Sequence, residues 1–148
     1  MIFMCGFIGE LVGGWIGDKW RASGASPNLV MRSMFSGSAL VAAACILAAA
    51  FVASTGPVII LLCVAMFFIR WCGMYWCLPA IIGGPSRTGV LGGAMNFFGN
   101  MAGVLVPIVI GLIVQFTGEY FFALIFFVVA ALLIALFSSL IDYRERQF

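Results

Sequence analysis

Gly89-Val90-Leu91-Gly92-Gly93-Ala94-Met95-Asn96-Phe97-Phe98-Gly99-Asn100-Met101-Ala102-Gly103-Val104-Leu105-Val106-Pro107 opens an apolar run that continues without a charge to Phe116. A run of this length exceeds the roughly 20 residues an α-helix needs to cross a bilayer. Within lipid only a helix or a closed barrel satisfies every backbone group. At about 100° per residue, Gly89, Gly93, Asn96, Asn100, Gly103, Pro107 and Gly111 share one face. That stripe gathers the polar side chains, and its asparagines can bond either to another helix or towards a polar cavity. Gly99 and Gly103 allow close helix packing, and Pro107 is expected to kink the helix.

Working outward, the same reading marks apolar segments at about 1–16, 34–53, 58–82 and 120–141 beside 90–116. The expectation is an all-α membrane protein of about five transmembrane helices, the first of them short. Its expected connections are a polar loop from Gly17 to Ser33, a turn from Ser54 to Pro57, a loop from Gly83 to Arg87, and a Thr117-Gly118 turn. Lys19, Arg21 and Arg32 flank one gap, Arg87 lies in another, and Arg144 and Arg146 close the chain, whereas the gaps between carry no basic residue. By the positive-inside rule the basic gaps and the tail at 142–148 are cytoplasmic. Residues 1–16 do not read as a signal peptide, because Glu10 interrupts them and no basic region precedes. With an odd number of spans starting mid-pattern, the expectation is a chain that is part of a longer protein.

Composition excludes several functions. The chain is 65% hydrophobic and 8% charged, far from the roughly 25% charge of soluble domains. A formal net charge of +2 spread over loops gives no nucleic-acid surface. There is no histidine, which removes the commonest general base and metal ligand. Cys5, Cys45, Cys63, Cys72 and Cys77 form no Cys-x-x-Cys pair and read as small packing residues. Neither an enzyme nor a metal or cofactor site is expected.

Two motifs carry function. Gly13-Gly14-Trp15-Ile16-Gly17-Asp18-Lys19-Trp20-Arg21 closes the first segment, and resembles the signature loop of the major facilitator superfamily, with Gly14, Asp18 and Lys19 matching and Lys19 replacing the usual arginine. The physical logic is a glycine that lets a neighbouring helix approach and a carboxylate at the membrane edge that can pair across a gate. The alternative reading of Asp18 and Lys19, taken alone, is an ordinary solvated helix end. Gly92-Gly93, Asn96, Gly99-Asn100, Gly103 and Pro107, with the turn from Val114 to Gly118, resemble the eleventh span of the anion:cation symporter family within that superfamily. This resemblance implies the later part of a C-terminal six-helix bundle, with a missing N-terminal bundle as its partner. It further implies a bacterial inner-membrane location and a cavity-facing place for Asn96.

Arg70 remains, alone in the middle of the third segment. A cation at that depth must face protein, water or a ligand. It can anchor a carboxylate bidentately, or pair with Glu10, the acid well inside an apolar segment. Tyr75 and the neighbouring tryptophans can line a sugar-acid site or simply pack. The expected function is secondary transport of a small organic anion coupled to H+ by alternating access, with Arg70, Tyr75, Asn96 and Asn100 at the substrate. Gly14, Asp18, Lys19 and Arg21 form the gate, and Glu10 is the proton-coupling candidate. The rivals are a carrier of neutral solutes or drugs and a non-transporting membrane scaffold.

Overall fold

The computed structural model describes residues 1–143; the expected tail therefore lies outside the described residues from Arg144 onward, Arg146 included. Five α-helices follow one another: α1 (Ile2–Ala22), α2 (Pro27–Phe51), α3 (Thr55–Ile69), α4 (Leu78–Thr117) and α5 (Tyr120–Leu140), with a 3-10 helix, Arg70–Cys77, between α3 and α4. Four stretches are long and apolar enough to cross a membrane: Pro27–Phe51, Thr55–Gly84, Ser86–Thr117 and Tyr120–Leu140. α1 is not among them, because its 21 residues include Glu10, Asp18, Lys19 and Arg21. The all-α membrane class stands.

Three sequence boundaries move. α1 does not stop at Ile16 but runs to Ala22, with Lys19 and Arg21 in its last turn, where cations oppose the negative end of the helix dipole. The expected loop from Gly17 to Ser33 shrinks to Ser23–Ser26, because Ser26 accepts the Leu29 N–H at 3.3 Å and Pro27 occupies the first turn of α2. Hydropathy locates the edge of the apolar layer, and a helix can outlast it. The second shift concerns the expected continuous span at 58–82. α3 ends at Ile69 and the chain tightens into the 3-10 helix before α4 begins at Leu78. Pro79 supplies the reason: it has no N–H, and in an α-helix its ring would strike the carbonyl of Tyr75, four residues back.

Third, the expected loop from Gly83 to Arg87 contracts to a single break inside α4 at Gly84, with φ 57° and ψ −173°. That backbone geometry is essentially restricted to glycine. Thr88 spans the break, its hydroxyl donating to the carbonyls of Gly84 and Pro79. Pro107, by contrast, does not interrupt α4, since Gly84 is its one non-helical residue.

The chain divides into two compact units. In the first, Met1–Met74 with Leu124–Asp142, α1 and α3 run parallel, their contacts advancing together from Gly6 against Met66 and Arg70 to Gly17 against Met74. Gly6, Gly9, Gly13 and Gly17 are buried in a stripe along α1. At Gly9 the approach is backbone to backbone, for an added Cβ would overlap the Phe67 carbonyl. α2 contributes a face of Val30, Met31, Met34, Phe35, Ala39, Ala42 and Ala43. α5 lies antiparallel to α2: Arg32 donates from Nε and Nη2 to the Ile141 carbonyl at 3.0 and 2.9 Å, Ser36 Oγ donates to the Ala135 carbonyl at 2.9 Å, and Ala43 packs with Val128 and Ala131. The start of α2 and the end of α5 therefore lie at one level.

The second unit, Tyr75–Ala123 with Tyr143, contains α4. Most of Asn96–Gly111 is exposed, and an added Cβ at Gly99 or Gly103 meets nothing within 4 Å.

Candidate functional site

Arg70 and Glu10 meet. Nη1 of Arg70 lies 3.7 Å from Oε2 of Glu10, and the two side chains are 48% and 51% exposed. At that distance the contact is an ion pair without a hydrogen bond. The remaining guanidinium N–H groups have no acceptor among the described residues. Two glycines make the meeting possible. A Cβ on Gly6 would stand 3.3 Å from Cγ of Arg70, and one on Gly73 would stand 2.8 Å from Oε1 of Glu10. The 3-10 winding matters here, because three residues per turn eclipse Arg70 and Gly73 on one face. Glu10 from α1 thus lies over a cation and, one turn on, over a gap where no side chain stands.

Next to Arg70, Trp71 packs on Phe67 and Phe68 with ring centroids 6.1 and 5.2 Å apart, and its ring faces Gly13, where a Cβ would come within 2.7 Å of Cδ1. Its indole N–H is buried without a partner among the described residues. Tyr75 is half-buried and Trp76 is 61% exposed.

On α4, Asn100 Nδ2 donates to the carbonyl of Asn96 at 2.8 Å and to its Oδ1 at 2.9 Å. Both residues are exposed. Asn100 therefore spends both amide hydrogens within its own helix, leaving the amide of Asn96 as the outward donor on this face.

The gating motif occupies the end of α1. Gly14 meets nothing within 4 Å, so the expected close approach falls instead on Gly13 and on Gly17, whose Cβ would come within 2.6 Å of Cε of Met74. A helical face repeats every three or four residues, and Gly14 sits one residue off the buried stripe. Asp18 is exposed, and neither its side chain nor that of Arg21 has a partner among the described residues. Lys19 Nζ stands 5.0 Å from the centroid of the Trp15 ring, a cation–π contact of surface type.

Gly6, Gly9 and Gly73 were missed by sequence reasoning. The signal for the first two was present as the spacing Gly6, Gly9, Gly13, Gly17; Gly73 carried none, because its role depends on the 3-10 register. A cavity of about 350 Å³ between α2, α3 and α5 is lined by residues such as Ile46, Met66, Ile69, Phe127 and Ile134 with no polar group. Such a lining cannot orient a polyhydroxylated acid. Among the described residues no cluster of three His, Cys, Asp or Glu could hold a metal.

Fold and site together define an integral membrane protein with an ion pair half-open in the middle of a helical span. No family model matches the chain. It is 32% identical over 138 residues to the probable galactarate/D-glucarate transporter GudP of Escherichia coli (strain K12), covering 93% of this chain and 30% of that protein. It is 30% identical over 121 residues to the hexuronate transporter of Bacillus subtilis (strain 168), covering 80% and 29%. A D-galactonate transporter of Escherichia coli O6:H1 is 28% identical over 113 residues, covering 76% and 26%. The chain is thus a relative of sugar-acid transporters of the major facilitator superfamily, the family its glycine-asparagine helix resembles. It spans under a third of the length of these relatives, which are carriers by name and not enzymes.

Proposed function

We propose that the chain is part of a secondary active transporter for a small organic anion of the sugar-acid class. The observation that carries this reading is Arg70, a half-exposed guanidinium in the middle of the span Thr55–Gly84 with one ion-pair partner and unspent donors. A cation at that depth is expensive, and a bidentate carboxylate is the ligand its planar fork fits best. The names of the relatives, galactarate/D-glucarate, hexuronate and D-galactonate carriers, supply the chemistry of that ligand. A sugar acid joins a carboxylate to several hydroxyls. Arg70 is proposed to hold the former; Asn96, on the separate unit that contains α4, is an independent candidate for a hydrogen bond to the substrate.

Transport proceeds by alternating access against an N-terminal bundle, with Gly14, Asp18, Lys19 and Arg21 at the gate. Coupling is to H+, and Glu10 is the local carboxylate able to carry it. The orientation follows from the basic gaps: C-terminus in the cytoplasm, in a bacterial inner membrane.

Uptake of labelled D-glucarate by cells expressing the full-length protein tests the proposal. Accumulation that is dissipated by a protonophore and inhibited by D-galactonate and glucuronate, but not by glucose, is the expected result. Indifference to carboxylates, or equal inhibition by neutral sugars, rejects it in favour of a neutral-solute carrier.

A further inference from the structure

We propose that the seat holding the Glu10 carboxylate, made of the Arg70 guanidinium and the empty space at Gly73, is itself the carboxylate subsite of the transporter. Glu10 and the substrate occupy it by turns. This rests on the reading of the protein as an organic-anion carrier and identifies where the acid end of the substrate goes and what it must displace.

The geometry shows a seat suited to a better ligand than the one it holds. Glu10 reaches Arg70 through one nitrogen at 3.7 Å, whereas a free carboxylate can close to about 2.8 Å in a bidentate pair. Glu10 is tethered to α1, whose backbone is already in contact with α3 at Gly9 and Phe67, whereas a free carboxylate carries no such constraint. The pair is half-exposed on both sides, so an incoming anion has access. Gly73 determines whether any carboxylate fits. A Cβ there would stand 2.8 Å from Oε1 and 3.3 Å from the carboxyl carbon of Glu10, so the absence of a side chain is what leaves room beside Arg70.

Two anions cannot share one guanidinium at this depth without repulsion. When the substrate enters, Glu10 must swing out, and when the substrate leaves, Glu10 returns. Arg70 is thereby never left uncompensated in the membrane. Of the other charged and titratable groups on the elements packed against α1, Arg32 of α2 bonds the Ile141 carbonyl, Cys63 of α3 lies beside Cys5, and Cys72 contacts Ser38 at 3.6 Å. Cys45 of α2 is a free, half-buried thiol. Arg70 is the charge that faces Glu10.

Equilibrium binding of labelled D-glucarate to the full-length protein in detergent provides the test. Glu10→Gln should bind about fivefold more tightly at pH 8, the worth of an exposed ion pair. Adding Gly73→Ala to Glu10→Gln should weaken binding by a similar factor, since the methyl group fills the space the substrate carboxylate needs. Thermal midpoints without ligand establish folding for each variant. If Glu10→Gln does not fold, Glu10→Asp, one methylene short of the seat, should show the same tightening at pH 8. Wild-type binding together with unchanged affinity in the Glu10 variant, or no loss on adding Gly73→Ala, overturns the exchange while leaving the transport reading intact. No binding of D-glucarate or D-galactonate by the wild type at any pH overturns both.

Discussion

Gly9→Ala should be the most disruptive single-methyl change in α1, and its cost can be worked from the contact it meets. The added Cβ would overlap the carbonyl group of Phe67. Neither partner can rotate away, because the α1 backbone fixes the Cβ position and the carbonyl belongs to the α3 backbone, so α1 and α3 must separate along the stripe that also seats Gly6, Gly13 and Gly17. Overpacking of a close contact costs about 1–3 kcal/mol, and a backbone-on-backbone overlap belongs at the upper end. Alanine returns up to about 1 kcal/mol of helix propensity, leaving a net loss of roughly 2 kcal/mol. Gly37→Ala supplies the comparison: Gly37 is an exposed residue inside α2 whose Cβ would meet nothing within 4 Å, so only the propensity gain remains. Thermal unfolding of the full-length protein in detergent should therefore show a lower midpoint for Gly9→Ala and an equal or higher one for Gly37→Ala. Equal midpoints for the two variants would refute the claim that α1 and α3 touch through their backbones.

Gly84→Ala should destabilise by about 1–3 kcal/mol in the same assay, because φ 57° with ψ −173° is open to glycine and strained for alanine; a neutral result would mean that α4 straightens without cost. Asn96→Ala should weaken D-glucarate binding several-fold more than Asn100→Ala, since Asn100 spends its amide hydrogens on Asn96. Equal losses in binding and in thermal midpoint would reduce both residues to packing.

The helical class, the neighbourhoods of the spans and the isolation of Arg70 were legible because each depends on local composition. A run of apolar residues longer than a bilayer, broken by glycine, proline and charge, admits few structures. Helix ends were less legible. The polar turn Asp18-Lys19-Trp20-Arg21 continues α1 as readily as it could have left it, and the decision falls to the capping of α2 by Ser26 and Pro27. Pro79 did announce a break, yet hydropathy passes over it, since the residues on both sides are apolar.

The sequence by itself determined that this is a helical membrane protein, and that one cation lies where lipid would otherwise be, because burying apolar side chains and satisfying backbone groups in lipid are constraints on every residue separately. Whether that cation meets Glu10 is not a property of either residue. Tertiary structure decided it: four glycines draw α1 onto α3, the 3-10 turn places Gly73 on the same face as Arg70, and a carboxylate sixty residues away in the chain reaches the charge through the space that Gly73 leaves. Contacts of this kind depend on the distance between two helix axes and on the winding of one of them, and no window of local sequence contains either.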